Sequence, residues 1–150
     1  MRGLETIADS QHGYFTTGQA SEHGFSSQLL SHHMRRGRFE RARRGLYRLP
    51  CFPRAEDDEM REKWMAVGAE KAVLSHQSAL ALLDLSDNIP NAVHLLLGRR
   101  YPCLRRPSVF VIHPRPAEEE VPTVHRPGLA LTAPARTLVA VVGAIPPVHL

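Results

Sequence analysis

Apolar residues near the N-terminus of this chain recur at the spacing of short amphipathic helices. Leu4, Ile7 and Ala8 fall on one face of a first helix. A second helix is predicted over about residues 17–23, because a threonine before it can cap its first turn and Gly24 can adopt the left-handed conformation that closes it. The pattern therefore predicts a supporting helix, then a helix followed by a tight turn.

The helix after this turn has an apolar stripe and a polar outer face. It begins at Ser26 or Ser27, either of which can act as the cap. Its apolar stripe, which we expect to face the core, consists of Phe25, Leu29, Leu30 and Met34. The outer side chains are polar or cationic, the types that contact base edges and phosphates in a major groove. The outer residues are Ser27, Gln28, Ser31, His32 and Arg35.

Beyond Gly37 the pattern changes from that of a helix to that of strands. Residues 39–42 and 46–49 are short extended runs, and Gly45 between them supplies the positive φ that a tight hairpin requires. A hairpin directly after a recognition helix is typical of a wing. Residues 1–54 are therefore predicted to form a winged helix-turn-helix domain.

The chain after Arg54 is predicted to form a second, small mixed α+β domain over residues 55–150, so that the fold class of the whole chain is α+β. Prolines 50 and 53 break the pattern and mark the domain boundary. Helices are expected from Asp57 or Asp58 to about 70, within 72–85 with Ser75 as the cap, and over 133–142. Strands are expected over 93–97, 109–112, 121–125 and 129–131.

Positive charge is concentrated at the front of the chain. The first 54 residues hold nine arginines and four acids, whereas the rest hold ten lysines and arginines and eleven acids. Such a density of arginine favours an anionic partner, because the guanidinium fork matches phosphate and because phosphate neutralisation releases counterions. The arginines expected to hold phosphates, or to enter the minor groove through the wing, are Arg36, Arg38, Arg41, Arg43, Arg44 and Arg48.

Motifs for catalysis or metal binding are missing from the sequence. No metalloprotease helix, phosphate loop, nucleophile elbow or Cys-x-x-Cys spacing occurs. The acids at 56–59 suit the N-terminus of a helix, and His76 is expected to be structural. Cys51 and Cys103 are too few for a disulfide framework. We expect no enzyme activity, cofactor or metal.

The chain shows no signal-like leader and no apolar run that approaches 18 residues. We therefore expect a cytoplasmic protein that does not enter a membrane. A two-fold homodimer, or paired sites on an inverted DNA repeat, is also expected, because one small module buries limited surface on DNA.

The front of the chain resembles the AbiEi family, the antitoxins of type IV toxin–antitoxin systems that carry an N-terminal winged helix-turn-helix. The matching positions are Gly13-Tyr14-Phe15-Thr16-Thr17, Gln19-Ala20, Gly24, Arg36-Gly37-Arg38-Phe39-Glu40-Arg41 and Arg44-Gly45-Leu46-Tyr47-Arg48. The resemblance implies binding to the antitoxin's own promoter and neutralisation of a nucleotidyltransferase-like toxin, without the need for a tight complex. It also implies a shortened family member, since relatives continue with more helices.

Two alternative functions remain open. In one, the winged helix delivers a nuclease to DNA, with the acids Glu118, Glu119 and Glu120 as candidates for its site. In the other, residues 55–150 contact the toxin, and the basic head is incidental or binds RNA. A further basic group, Arg99, Arg100, Arg105 and Arg106, is either a solvated rim or an auxiliary phosphate contact.

Overall fold

The computed structural model describes residues 2–68, 72–98, 109–115, 120–126 and 128–144. The chain divides into two compact units, Met1–Ala66 and Val67–Leu150. The division therefore falls later than the predicted boundary after Arg54. The reason is that the helix following Arg54 packs onto the N-terminal unit, where its Glu62 contacts Tyr14 and Arg43.

The N-terminal unit has the topology of a winged helix-turn-helix, as predicted. Its three strands form an antiparallel sheet in the order β1-β3-β2. Strand β1 was not predicted, because its three residues pair only with the distant β3. The elements are α1 (Arg2–Ser10), β1 (Tyr14–Thr16), α2 (Thr17–Glu22), α3 (Ser27–Arg35), β2 (Glu40–Arg43), β3 (Leu46–Arg48) and α4 (Asp58–Gly68).

Local capping explains where the helix-turn-helix begins and turns. Thr16 and Gln19 form a reciprocal capping box at the start of α2. The Ser26 hydroxyl accepts the backbone N–H of Leu29 at the start of α3. Between the two helices, Gly24 has a φ of 80°, which a side chain would disfavour. These contacts are all local, and they place both helices within a residue of the predicted positions.

An aromatic cluster forms the core of the N-terminal unit. Phe15 packs edge-on against Phe39 and stacks on Tyr47. Helix α3 faces this cluster through Leu30 and His33.

One part of the predicted apolar stripe of α3 is wrong. Leu29 is 37% exposed, whereas His33, which was not assigned to the core, is 7% exposed and packs on Phe25 and Phe39. The histidine ring fills the aromatic layer, and its pKa is lowered by burial and by nearby Arg38.

The second unit contains a five-stranded mixed sheet in the order β6-β5-β4-β8-β7. Strands β4 and β8 are parallel, as are β5 and β6, while the other pairs are antiparallel. The elements are β4 (Ala72–Leu74), α5 (His76–Leu82), β5 (Val93–Leu97), β6 (Phe110–Pro114), β7 (Thr123–Arg126), β8 (Leu129–Thr132) and α6 (Pro134–Ala144).

The α+β class, the four predicted strands of this unit and a helix within residues 72–85 that begins after Ser75 are confirmed, but the strand before this helix was not predicted. Residues Ala72–Leu74 form the central strand β4, and Ser75 is the N-cap of α5. A short, fully apolar run does not distinguish a buried strand from a helix, which explains why β4 was not predicted. None of the helices in the described part of the chain could span a membrane.

Candidate nucleic-acid interface

Helix α3 exposes the polar face that the sequence predicts. Its buried side chains are Leu30 and His33, which hold it against the aromatic cluster. The Ser31 hydroxyl donates to the carbonyl of Ser27, so its lone pairs stay available to a partner. The side chains exposed to solvent include all five of the predicted base-reading set, Ser27, Gln28, Ser31, His32 and Arg35.

Four further arginines are exposed between the end of α3 and the turn of the hairpin. Arg36 is the C-cap of α3, Arg38 follows it, Arg41 lies on β2 and Arg44 lies in the turn. No ion pair joins them to an acid among the residues that the structure describes. Their charge is therefore directed to solvent, where it attracts polyanions.

We call residues 40–48, comprising β2, its turn and β3, the wing. Its two-residue turn consists of Arg44 and Gly45, and Gly45 has a φ of 77°. The backbone N–H of Thr17 donates to the Gly45 carbonyl over 2.9 Å, and the Thr17 hydroxyl donates to it over 3.2 Å. The tip of the wing is thus tied to the first residue of α2, which limits how far the tip can move.

Arg48 does not reach solvent, which corrects its predicted place among the phosphate contacts. It is 3% exposed, lies over the Tyr14 ring at 5.7 Å and pairs with Glu40 at 3.5 Å. It also donates to the carbonyl of Phe52. Because strand β3 is the central strand of its sheet, Arg48 packs inside the unit and acts as a structural arginine.

Arg43 and Arg54 are also matched by acids of this chain. Glu62 lies at the centre of these contacts: its Oε2 is 3.2 Å from Arg43 Nε, and its Oε1 is 3.4 Å from Arg54 Nη1. The Tyr14 hydroxyl donates to Oε1 over 3.1 Å. Burial, and then the charge of Glu62, raises the pKa of Tyr14. We call this group, with Arg48, Glu40 and Asp58, the ion-pair cluster.

Sequence reasoning missed the ion-pair cluster because it considered only the acids at 56–59, which it assigned to the helix dipole, and not Glu62. Asp58 lies in the first turn, where that explanation applies, but Glu62 lies beyond it. The Glu62 side chain is 11% exposed, and an acid that deep in a unit requires cationic or donor partners. The position of Glu62 beyond the first turn of α4 is the sequence feature that could have indicated such partners.

Three histidines of the second unit form another polar group. The rings of His76 on α5 and His113 on β6 stack with centroids 3.5 Å apart, and Nδ1 of His94 on β5 is 3.1 Å from Nε2 of His113. Burial lowers the pKa of all three, for His113 to about 4 with further lowering by His76 and His94. The sequence places His76 in a structural role but does not reveal these partners.

His76 and His113 line one side of an open pocket of about 320 Å³, which Leu96, Arg136 and Val139 also line. Within the part of the chain that the structure describes, no carboxylate is among the groups that shift the pKa of the three rings. Within the same residues, no group of three His, Cys, Asp or Glu side chains could hold a metal ion. The second basic group at 99–106, Cys103, Glu118 and Glu119 lie outside the described residues.

Comparison with protein families supports the assignment made from the motifs. Residues 4–50 match the model of the family described as "Transcriptional regulator, AbiEi antitoxin". This range runs from α1 through β3, so the resemblance is confirmed for the winged helix-turn-helix itself. No curated protein matches the chain.

Proposed function

We propose that this protein, whose residues 4–50 are of the AbiEi antitoxin type, binds duplex DNA through α3 and the wing and regulates transcription. The observation that carries the proposal is the exposed polar face of α3 continuing along the chain into exposed arginines. A helix of this kind fits the major groove, and arginines beside it neutralise phosphates.

The side chains divide between reading bases and holding the backbone. On α3, Gln28 can bond an adenine edge with both donor and acceptor, and Arg35 can donate two hydrogen bonds to the O6 and N7 acceptors of guanine. Ser27, Ser31 and His32 add shorter contacts. Phosphate contacts come from the exposed Arg36, Arg38, Arg41 and Arg44.

The regulated site is the protein's own promoter, and the protein acts as an antitoxin. Two copies bind an inverted repeat, since one module of this size covers only part of an operator. By repression, and by counteracting a nucleotidyltransferase-like toxin encoded separately, the protein limits the toxin's effect. Such a regulator works in the cytoplasm, where the DNA is.

Fluorescence anisotropy tests DNA binding directly. The full chain is titrated against its upstream promoter duplex, a scrambled duplex and a structured RNA of equal length, at several salt concentrations. We expect tightest binding to the promoter and a linear fall of log K with log salt. Equal or tighter binding to RNA would support the RNA-binding alternative, and cleavage of plasmid in Mg²⁺ would support a nuclease.

Replacement of one base-reading side chain tests the role of α3. Gln28→Ala should reduce the preference for promoter over scrambled duplex by roughly 5-fold to 150-fold, the value of one bidentate base contact. Gln77→Ala, the same change on α5 of the second unit, is the matched control and should leave the preference unchanged. Equal losses on both duplexes for Gln28→Ala would count against base reading.

Co-expression tests the antitoxin role. The neighbouring open reading frame is expressed with the full chain, or with a variant in which Arg36, Arg38, Arg41 and Arg44 are all glutamine. Growth rescue by the full chain, with the toxin under an unrelated promoter, would show that neutralisation does not depend on repression. Rescue lost in the variant would tie protection to the basic surface.

A further inference from the structure

We propose that Glu62 regulates the DNA affinity of the wing by withholding Arg43 from the phosphate backbone. This inference rests on the proposed function, because it concerns how tightly the same surface binds DNA. Glu62 lies on α4, beyond the residues 4–50 that match the antitoxin family. The regulation is therefore supplied by an element that follows the DNA-binding module along the chain.

The position and charge of Glu62 make it an internal alternative to phosphate for Arg43, at ion-pair distance but without the alignment of a hydrogen bond at Nε. Its Oε2 lies 3.2 Å from Nε of Arg43, a guanidinium group that is 37% exposed. Carboxylate and phosphate oxygens are alternative partners for the same planar fork. Arg43 can thus pair either with Glu62 or with a phosphate at the wing, and in the free protein it pairs with Glu62.

Glu62 is held in place independently of Arg43. The Tyr14 hydroxyl and Arg54 both contact its Oε1, and its side chain is only 11% exposed. Tyr14 is buried, whereas the Arg54 side chain is 61% exposed. A carboxylate fixed by a buried donor competes better than one on a flexible surface side chain, because less ordering entropy is lost when it pairs. Arg43 is therefore retained even when DNA is nearby.

The charge of the ion-pair cluster supports the same conclusion. Its three arginines, Arg43, Arg48 and Arg54, face three acids, Glu40, Asp58 and Glu62. The cluster is formally neutral and adds no net attraction for a polyanion. The neighbouring Arg44, which is exposed at the turn, remains available.

The salt dependence of DNA binding by the full chain tests the proposal. Glu62→Gln keeps the size and an acceptor for Tyr14 but removes the charge that holds Arg43. We expect log K against log salt to steepen by about 0.9, the value for one added phosphate contact, and affinity at 150 mM salt to rise about five-fold. This gain should appear equally on promoter and scrambled duplexes, since phosphate contacts do not read sequence.

Two further variants separate this effect from a simple change in net charge. Glu59→Gln alters charge equally on the same helix, but Glu59 is 74% exposed and pairs with Lys63, so the slope should stay at the wild-type value. Glu62→Gln combined with Arg43→Gln should return the slope to wild type. A gain that persists in this double variant, or that equals the gain in Glu59→Gln, would overturn the proposal.

Single arginine variants test the proposal without altering Glu62, should Glu62→Gln fold poorly. Arg44→Gln should lower the slope by about 0.9, whereas Arg43→Gln should change it by less than about 0.3. Equal decreases of the salt slope in the two variants would refute the proposal that Glu62 withholds Arg43, while leaving the DNA-binding proposal intact. If the wild-type chain binds no duplex at all, the proposed function itself fails.

Discussion

The two units accommodate titratable side chains in different ways. In the N-terminal unit, Arg43 and Arg48 face carboxylates of the same unit. In the second unit, His76, His94 and His113 face one another, and burial keeps them neutral. An ion pair of arginine and carboxylate stays charged over moderate changes of pH. A group of neutral histidines, in contrast, is destabilised as the pH falls, because the unfolded chain binds protons more readily. The comparison shows that the partners of a titratable side chain decide how its stability contribution depends on pH.

Arg48→Ala should produce the largest effect, a loss of about 2–3 kcal/mol in the free energy of unfolding of the N-terminal unit. The substitution removes a charged hydrogen bond to a backbone carbonyl, an ion pair and the packing on Tyr14. Urea unfolding followed by the fluorescence of Trp64, which is buried in this unit, measures it. Arg44→Ala on the same hairpin is the control, expected within about 0.5 kcal/mol of wild type.

Acid should destabilise the second unit by about 1–2 kcal/mol at pH 5, after allowance for screening by water. The folded pKa of His113 is lowered from 6.5 to about 4. Between these two values the unfolded chain binds more protons than the folded one, so stability falls as the pH falls. Hydrogen exchange of the β5 amides at pH 7 and pH 5 measures the loss.

His113→Gln should flatten this acid dependence, since it removes the ring that both other histidines contact. His125→Gln on the exposed strand β7 should not change it. An identical acid loss in both variants would show that the histidine cluster is not the cause, and that the contrast between the units is wrong.

Tyr14→Phe should produce the smallest effect, a loss of about 1 kcal/mol, because Glu62 loses one donor but keeps its arginines. The raised pKa of Tyr14 adds an alkaline dependence. The folded state retains a proton that the unfolded state loses above pH 10, so the N-terminal unit becomes less stable as the pH rises past 10. Trp64 fluorescence in urea at pH 8 and 10.5 should show a smaller alkaline loss in Tyr14→Phe than in wild type.

Local signals predicted most of the N-terminal unit. Caps at Thr16 and Ser26 and the glycines at turns act within a few residues, so they can be recognised without the fold. The outer face of α3 was predicted for the same reason, although Leu29, which was predicted to be buried, is exposed, and His33 is buried instead. The spacing of apolar residues alone does not determine which residue at the edge of the stripe faces the core. In this helix His33 takes the core position, because its ring packs on Phe25 and Phe39.

The strands β1 and β4 could not be predicted in this way. Each has three residues, and each exists because a distant strand pairs with it. Such pairing depends on topology, and no periodicity develops over three residues.

The sequence by itself determined the alternation of helix, turn, helix and hairpin, and the excess of arginine that follows it. Only the tertiary structure decided which arginines remain exposed. Arg44 and Arg48 are four residues apart with the same side chain, yet one lies in an exposed turn and the other inside the unit. Glu62 reaches Tyr14 across 48 positions of the chain. Charge is a property of composition, but its availability depends on contacts that only folding brings together.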